Sequence, residues 1–359
     1  MEKKSLFLFL LFFFFFGFFI SISSAFSSSP SLIISKNTIS ELKNHTGISD
    51  FRLINRRFLQ DCPDPNPFLA INVSSASGLA DEENVTVTVS GVVIPDELDW
   101  IAMISPSNID VSACPLSTIY YKQTGDLSDL PLLCHYPVKG QYLSNDPSYL
   151  KCKRKECKES GLDGKCLVHT CSGSISFHVI NIRTDIEFVF FTGGFDIPCI
   201  LKRTQPISFS NPSSPLHAHL SSIESTGTSM RVTWVSGDKH PQNVKYKNGN
   251  SAKSKVSTFS NSDMCSGVPE SPAKDFGWHD PGFIHSAVMT GLQPSQTYSY
   301  KYGSDSVGWS DEIQFTTPPA AGSDELKFLA FGDMGKAPLD PSLEHYIQPG
   351  SLSVIKAMA

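Results

Sequence analysis

A basic surplus is missing from this chain. Its 359 residues carry 29 Lys and Arg against 35 Asp and Glu, a formal net charge of −6. Binding along a phosphate backbone needs a cationic face, so nucleic acid is excluded as a main partner. Long apolar runs are missing after residue 20. A membrane span needs about 20 consecutive apolar residues, so no membrane association is expected once the N-terminus has been removed. There is no G-x-S-x-G element and no glycine-rich phosphate loop, which removes the serine-hydrolase and P-loop readings.

What is present points first to export. Lys3 and Lys4 precede an apolar run over residues 6–20, and Ser23, Ser24 and Ala25 follow with small side chains. This is the order of a cleaved signal, expected over residues 1–25. The nine cysteines then read as disulfide formers in an oxidising compartment, with an odd one left over. Cys152, Cys157, Cys166 and Cys171 cluster as C-x4-C-x8-C-x4-C. Two disulfides stapling a loop is the expected use. A four-thiolate zinc site is the alternative, and spacing does not choose among the three pairings. Asn44, Asn72 and Asn84 each open an N-x-S/T sequon, which agrees with a secreted, glycosylated, extracellular protein.

The pattern along the chain is mainly β. Residues 26–66 read as a leader with little structure, though 50–60 has the pattern of a short helix. Residues 67–207 read as an antiparallel sandwich. Within it Val85, Val87 and Val89 alternate with polar neighbours, DWIAMISP at 99–106 runs apolar, and 174–182 with 186–194 resemble a hairpin around Arg183-Thr184-Asp185. The cysteine cluster and the basic run at 151–158 fall in a long insertion, read as a solvated loop. Breakers at 210–215 separate a second sandwich at 216–320. There Met230, Val232 and Trp234 share a face, and Leu292-x-Pro294-x-x-x-Tyr298 matches a fibronectin-type corner in which Tyr298 or Tyr300 ties back to the backbone. LKFLAFGDMG at 326–335 then reads as a buried strand ending in Gly332-Asp333-Met334-Gly335. A carboxylate between glycines past a strand end presents a ligand in α/β folds. The same tetrapeptide also caps helices. Residues 351–359 have the pattern of a helix start, with Ile355 and Met358 at helical spacing.

FGDMGKAPLD with YIQPGS, and GWHDPGFIHSAVMTGLQPSQTYSYKYGS at 277–304, resemble the plant purple acid phosphatases, a branch of the metallophosphoesterases. The likeness is to the long forms with nucleotide pyrophosphatase/phosphodiesterase-like members. It implies two fibronectin III-like sandwiches followed by the start of an α/β catalytic domain at 326–359. It implies hydrolysis of phosphomonoesters or nucleotide pyrophosphate bonds at a dinuclear centre of Fe with Zn or Mn. Such ions neutralise phosphoryl oxygens and activate a bound water. By this resemblance Asp333 binds the ferric ion.

The family's other ligand motifs, GDxxY, GNH(E/D), VxxH and GHxH, do not occur after Asp333, where His345 is the sole histidine. One ligand cannot hold two metals, so this chain alone is expected to be inactive. His217 and His219 form an i, i+2 pair better suited to packing than to a metal. His279 and His285 are expected to be structural, and Lys336 to be a loop charge. The alternative to an enzyme is a secreted binding module of two sandwiches, acting through its surfaces or by pairing as a homodimer.

Overall fold

The computed structural model describes residues 62–75, 78–107, 139–194, 198–264, 280–322, 329–332, 337, 339–344 and 350–358. The signal segment, Asn44, the 50–60 helix pattern, Cys114, Cys134, Cys265, His279, Asp333, Lys336 and His345 lie outside these residues.

The chain is mainly β. The first sandwich is built from β1 (Ala70–Val73), β2 (Glu83–Val92), β3 (Trp100–Ile104), β4 (Lys139–Tyr142), β5 (Lys155–Ser160), β6 (Cys166–Val179), β7 (Glu187–Thr192) and β8 (Cys199–Arg203). One sheet runs β1-β2-β6-β5 and the other β4-β3-β7-β8, with antiparallel pairing in both. Period-two patterning places Val85, Val87 and Val89 of β2 in the core against Ile101, Met103, Phe188 and Phe190. The rings of Phe177 and Phe188 meet across the two sheets, 5.1 Å between centroids. β3 does not alternate because both of its faces are buried. Trp100, Ala102 and Ile104 form a second cluster with Val189 and Phe191, and the Trp100 and Phe191 rings stack at 4.5 Å. Gly91 sits in the β2 bulge opposite β6 at φ +81, where a Cβ would lie 1.9 Å from the Phe68 carbonyl oxygen, so only glycine fits.

The expected hairpin between 174–182 and 186–194 does not form. β6 pairs with β2 and β5, whereas β7 pairs with β3 and β8, so the chain crosses from one sheet to the other at 183–185. The core explains this. Phe177 and Phe188 bury best facing each other between the sheets, not side by side in one.

The second sandwich holds β9 (Leu216–Ser222), β10 (Met230–Ser236), β11 (Asn243–Tyr246), β12 (Asn250–Lys253), β13 (Lys255–Ser257), β14 (Phe283–Met289), β15 (Thr297–Ser304), β16 (Gly308–Trp309) and β17 (Ile313–Thr316), with a short helix α1 (Asn261–Met264). Its sheets run β13-β14-β10-β9 and β12-β11-β15-β16, with β17 also on β15. Met230, Val232 and Trp234 enter its core with Val244, Met289, Tyr300 and Tyr302. The corner tyrosine is Tyr298, whose hydroxyl accepts the Gln293 N–H at 2.9 Å. Tyr300, one alternation further on the same face, is buried in the core. A final helix, α2, spans Ser351–Met358, as its apolar spacing predicts.

Candidate functional site

Asp333, the expected metal ligand, lies outside the described residues, but both of its flanks are visible in part. On the near side, residues 329–332 form no strand, and Leu329 and Phe331 are 68% and 63% exposed. This corrects the expectation of a buried strand over 326–331 for its described part. A buried parallel strand needs hydrogen-bonded neighbours and cover on both faces, and no described strand pairs with these residues.

On the far side the chain is tightly held, by residues the sequence did not single out. Leu343 and Gly140 exchange two backbone hydrogen bonds, at 3.0 and 2.7 Å, so residues 340–344 extend the β4 edge of the first sandwich. Lys139 is buried there, and its ammonium meets Asp340 at 3.1 Å and Glu344 at 2.8 Å. Asp340 also accepts the His178 backbone N–H at 2.6 Å and the Ser342 N–H at 2.8 Å. Gln141 bridges from β4 to the Ser342 hydroxyl at 3.0 Å and to the Ser176 carbonyl at 2.7 Å. Burial pushes the Asp340 carboxyl up, but the hydrogen bonds from Ser342 and His178 and the charge of Lys139 outweigh it and hold it below the ordinary carboxylate value. The arrangement fastens a segment seven residues beyond Asp333 to a sheet 200 residues earlier. In sequence the only hint was Lys139 between apolar and glycine neighbours, which reads as a loop charge.

The histidines divide. His217 and His219 lie exposed on β9, an edge strand. Among the described residues no three His, Cys, Asp or Glu side chains gather as a metal site requires. His285 is fully buried and stacks on Trp234 at 5.3 Å. Its Nε2 faces the Asp238 carbonyl at 3.0 Å and its Nδ1 the Ser254 hydroxyl at 3.1 Å. Ser254 itself accepts the Gln242 N–H at 2.9 Å. A carbonyl only accepts, so Nε2 carries the hydrogen of a neutral imidazole, and Nδ1 is left to accept the Ser254 hydroxyl proton. Gln242 completes the circuit, accepting from the Trp234 indole at 2.8 Å and donating to the Ser236 hydroxyl at 2.9 Å. Burial lowers the His285 pKa, and the contacts with Asp238 offset only part of that. A neutral, fully bonded imidazole in a core is a structural group, as expected.

A second buried acid is equally structural. Tyr149 donates its hydroxyl to Asp99, which also accepts the Asp96 N–H at 2.9 Å. Burial raises the pKa of both side chains.

The four clustered cysteines are disulfide-bonded and nested, Cys152 with Cys171 and Cys157 with Cys166, while Cys62 pairs with Cys199. The insertion is not a loop. Its cysteines staple β5 to the first half of β6, a ribbon that prolongs the sheet into solvent. The zinc alternative falls, because both thiol pairs are consumed. Asn72 and Asn84 are exposed, on β1 and β2.

Comparison with known proteins connects this architecture to a family. Residues 71–211 match the Fn3-like domain from purple acid phosphatase, and residues 215–317 match the purple acid phosphatase N-terminal domain. The chain belongs to the purple acid phosphatase family. It is 33% identical over 76% of its length to the Arabidopsis thaliana protein named probable inactive purple acid phosphatase 27, covering 42% of that protein. It is 31% identical over 72% of its length to probable inactive purple acid phosphatase 24 of the same plant, covering 40% of it. Among solved structures, purple acid phosphatase PPD1 from yellow lupin (Lupinus luteus) seeds superposes with a TM-score of 0.64 at 30% identity, over 82% of this chain and 49% of that one. The chain thus spans less than half the length of these purple acid phosphatases, and its two sandwiches coincide with the two matched modules.

Proposed function

We propose that this chain is the N-terminal part of a secreted, glycosylated, metal-dependent phosphoesterase. In the full protein a dinuclear centre of Fe with Zn or Mn would hydrolyse phosphomonoesters or nucleotide pyrophosphate bonds. The observation that carries this reading is the order of parts: two purple acid phosphatase modules, then the G-D-M-G motif at 332–335. The donor set does not fit a complete metal centre. Asp333 supplies one ligand, and the GDxxY, GNH(E/D), VxxH and GHxH motifs that would supply the others do not follow it in this chain. The chain alone therefore contributes scaffold and one ligand, and does not turn over substrate. Export through residues 1–25 is supported by the three disulfides and by the exposure of Asn72 and Asn84.

The relatives named as probable inactive enzymes favour a second reading, in which the family member is a non-catalytic binding module, alone or as a homodimer. One experiment separates the readings. The natural protein is enriched with an antibody to residues 216–320, mapped by peptide mass spectrometry, and assayed with p-nitrophenyl phosphate alongside the 359-residue chain. Peptides beyond Ala359 together with metal-dependent turnover support the enzyme. A natural C-terminus at Ala359, or a full-length protein that binds no metal, supports the module. Turnover by the 359-residue chain itself defeats the assignment of an incomplete site.

A further inference from the structure

We propose that the outer face of the β12-β11-β15-β16 sheet is a docking surface for a carboxylated polysaccharide. On this sheet Val244, Tyr246, Tyr300 and Tyr302 point into the core, so their neighbours point out. Lys245 stands directly opposite Lys301 in the β11–β15 register, and Lys253 lies on the same outer face, opposite Asn243. Like charges placed directly opposite each other destabilise a sheet. The chain has acidic groups to spare, at a net charge of −6. Yet among the described residues none of these three lysines forms an ion pair, although Glu312 stands exposed just before β17. With no carboxylate to neutralise them, the paired lysines leave this face cationic and open to an anion.

An aromatic ring completes the face. Trp309 lies opposite Gly303, where a Cβ would come within 2.2 Å of the Gly308 carbonyl oxygen and 3.0 Å of the Trp309 Cα. With no side chain there, the indole can lie against the sheet. Its N–H donates to Asp305 at 2.7 Å, which orients the ring. The ammonium of Lys245 sits 4.0 Å from the ring centroid and that of Lys301 5.6 Å away. Two cations are thereby gathered over one indole.

The chemistry of the face selects its occupant. The four strands spread these groups over roughly 14 Å, three spacings of about 4.8 Å. That is a flat track, which suits an extended polyanion with a charge on each repeating unit better than a single small anion. Apart from the Asp305 carboxylate that holds the indole, the remaining outward groups, Asn243, Ser251, Thr297, Ser299, Gln314 and Thr316, are neutral hydrogen-bonding side chains matched to sugar hydroxyls.

The test uses the full chain on immobilised polygalacturonate. Binding is expected at low ionic strength and should weaken steeply with salt. The double variant Lys245→Gln/Lys301→Gln should bind about tenfold more weakly, the order expected for two exposed ion pairs, while its circular dichroism spectrum shows the fold retained. In a labelled sample, oligogalacturonate should shift the amides of Lys245 and Lys301 and the indole N–H of Trp309. Absence of binding by the unaltered chain overturns the proposal. So does equal binding by the double variant, or equal binding to polyglutamate of matched charge, which would make the partner an acidic peptide.

Discussion

Replacing Lys139 by methionine tests whether the first sandwich holds the segment that follows Gly335. Lys139 is 3% exposed, with Asp340 at 3.1 Å and Glu344 at 2.8 Å, and the side chains of both acids are at most 7% exposed. Removing the cation from a buried ion pair costs about 3–5 kcal/mol, because the carboxylates stay desolvated. Here the molecule has a cheaper response than global unfolding. Residues 340–344 can lift from β4 and carry both acids into water, giving up the Leu343–Gly140 backbone pair and the Gln141–Ser342 contact. The loss should therefore be local. A 3 kcal/mol fall in the opening free energy accelerates hydrogen exchange on the order of a hundredfold. The readout is the Leu343 amide, with the central-strand amide of Ala102 as the internal control. Lys139→Met should release Leu343 and leave Ala102 protected. The triple variant with Asp340→Asn and Glu344→Gln should restore protection, since no charge is then buried. Acid should act in the same direction. The Asp340 pKa is lowered on folding, so its contribution is complete above the unfolded value of 3.8 and is lost as pH falls through the folded value. Full protection of Leu343 in Lys139→Met at neutral pH would refute the reasoning.

Three further outcomes follow from named contacts. Peptide mapping without reduction should recover Cys152–Cys171 and Cys157–Cys166, and replacing Cys157 and Cys166 by serine should loosen the ribbon by roughly 2–3 kcal/mol, as expected for a short closed loop; a 152–157 pairing would refute the nested staple. Tyr298→Phe should cost about 0.5–1.5 kcal/mol in a thermal melt, the value of the hydrogen bond to Gln293, and no cost would refute the corner. His285 has its pKa lowered by burial, so stability is complete above 6.5 and declines as pH drops through the folded value; the melting temperature should fall below pH 6.5, and His285→Gln should flatten that slope.

The local periodicities were legible because each is enforced by one core. Val85, Val87 and Val89 cannot face water together, and Met230, Val232 and Trp234 cannot either. The Leu-x-Pro-x-x-x-Tyr spacing pointed to a corner because its hydrogen bond spans five residues. Pairing across the chain was not legible. The 174–194 stretch carries the same alternation whether its strands share a sheet or face each other, and only the burial of Phe177 against Phe188 decides. The cysteine spacing permitted nested, sequential and crossed pairings alike. The lock around Lys139 was invisible because its partners lie 200 residues away, and a lone lysine beside a glycine has the composition of a surface turn.

Contact order in this protein differs from the order of its modules. The chain leaves the first sandwich at residue 210, builds the second, and passes the G-D-M-G motif. It then returns to the edge of the first sandwich at Gly140. The first module is thus more than a leader domain, because it takes residues 340–344 as an added edge segment. The second module is joined to it through Arg183, which donates to the Asp280 carbonyl at 2.7 Å, and by way of the linker, where Asn211 accepts from Asn181 at 2.8 Å and donates to the Val307 carbonyl at 2.7 Å. Both ends of the passage from Asn211 to Leu343 are therefore fixed on one sandwich. A substitution that loosens β4 therefore acts on the chain beyond the motif without touching the motif itself.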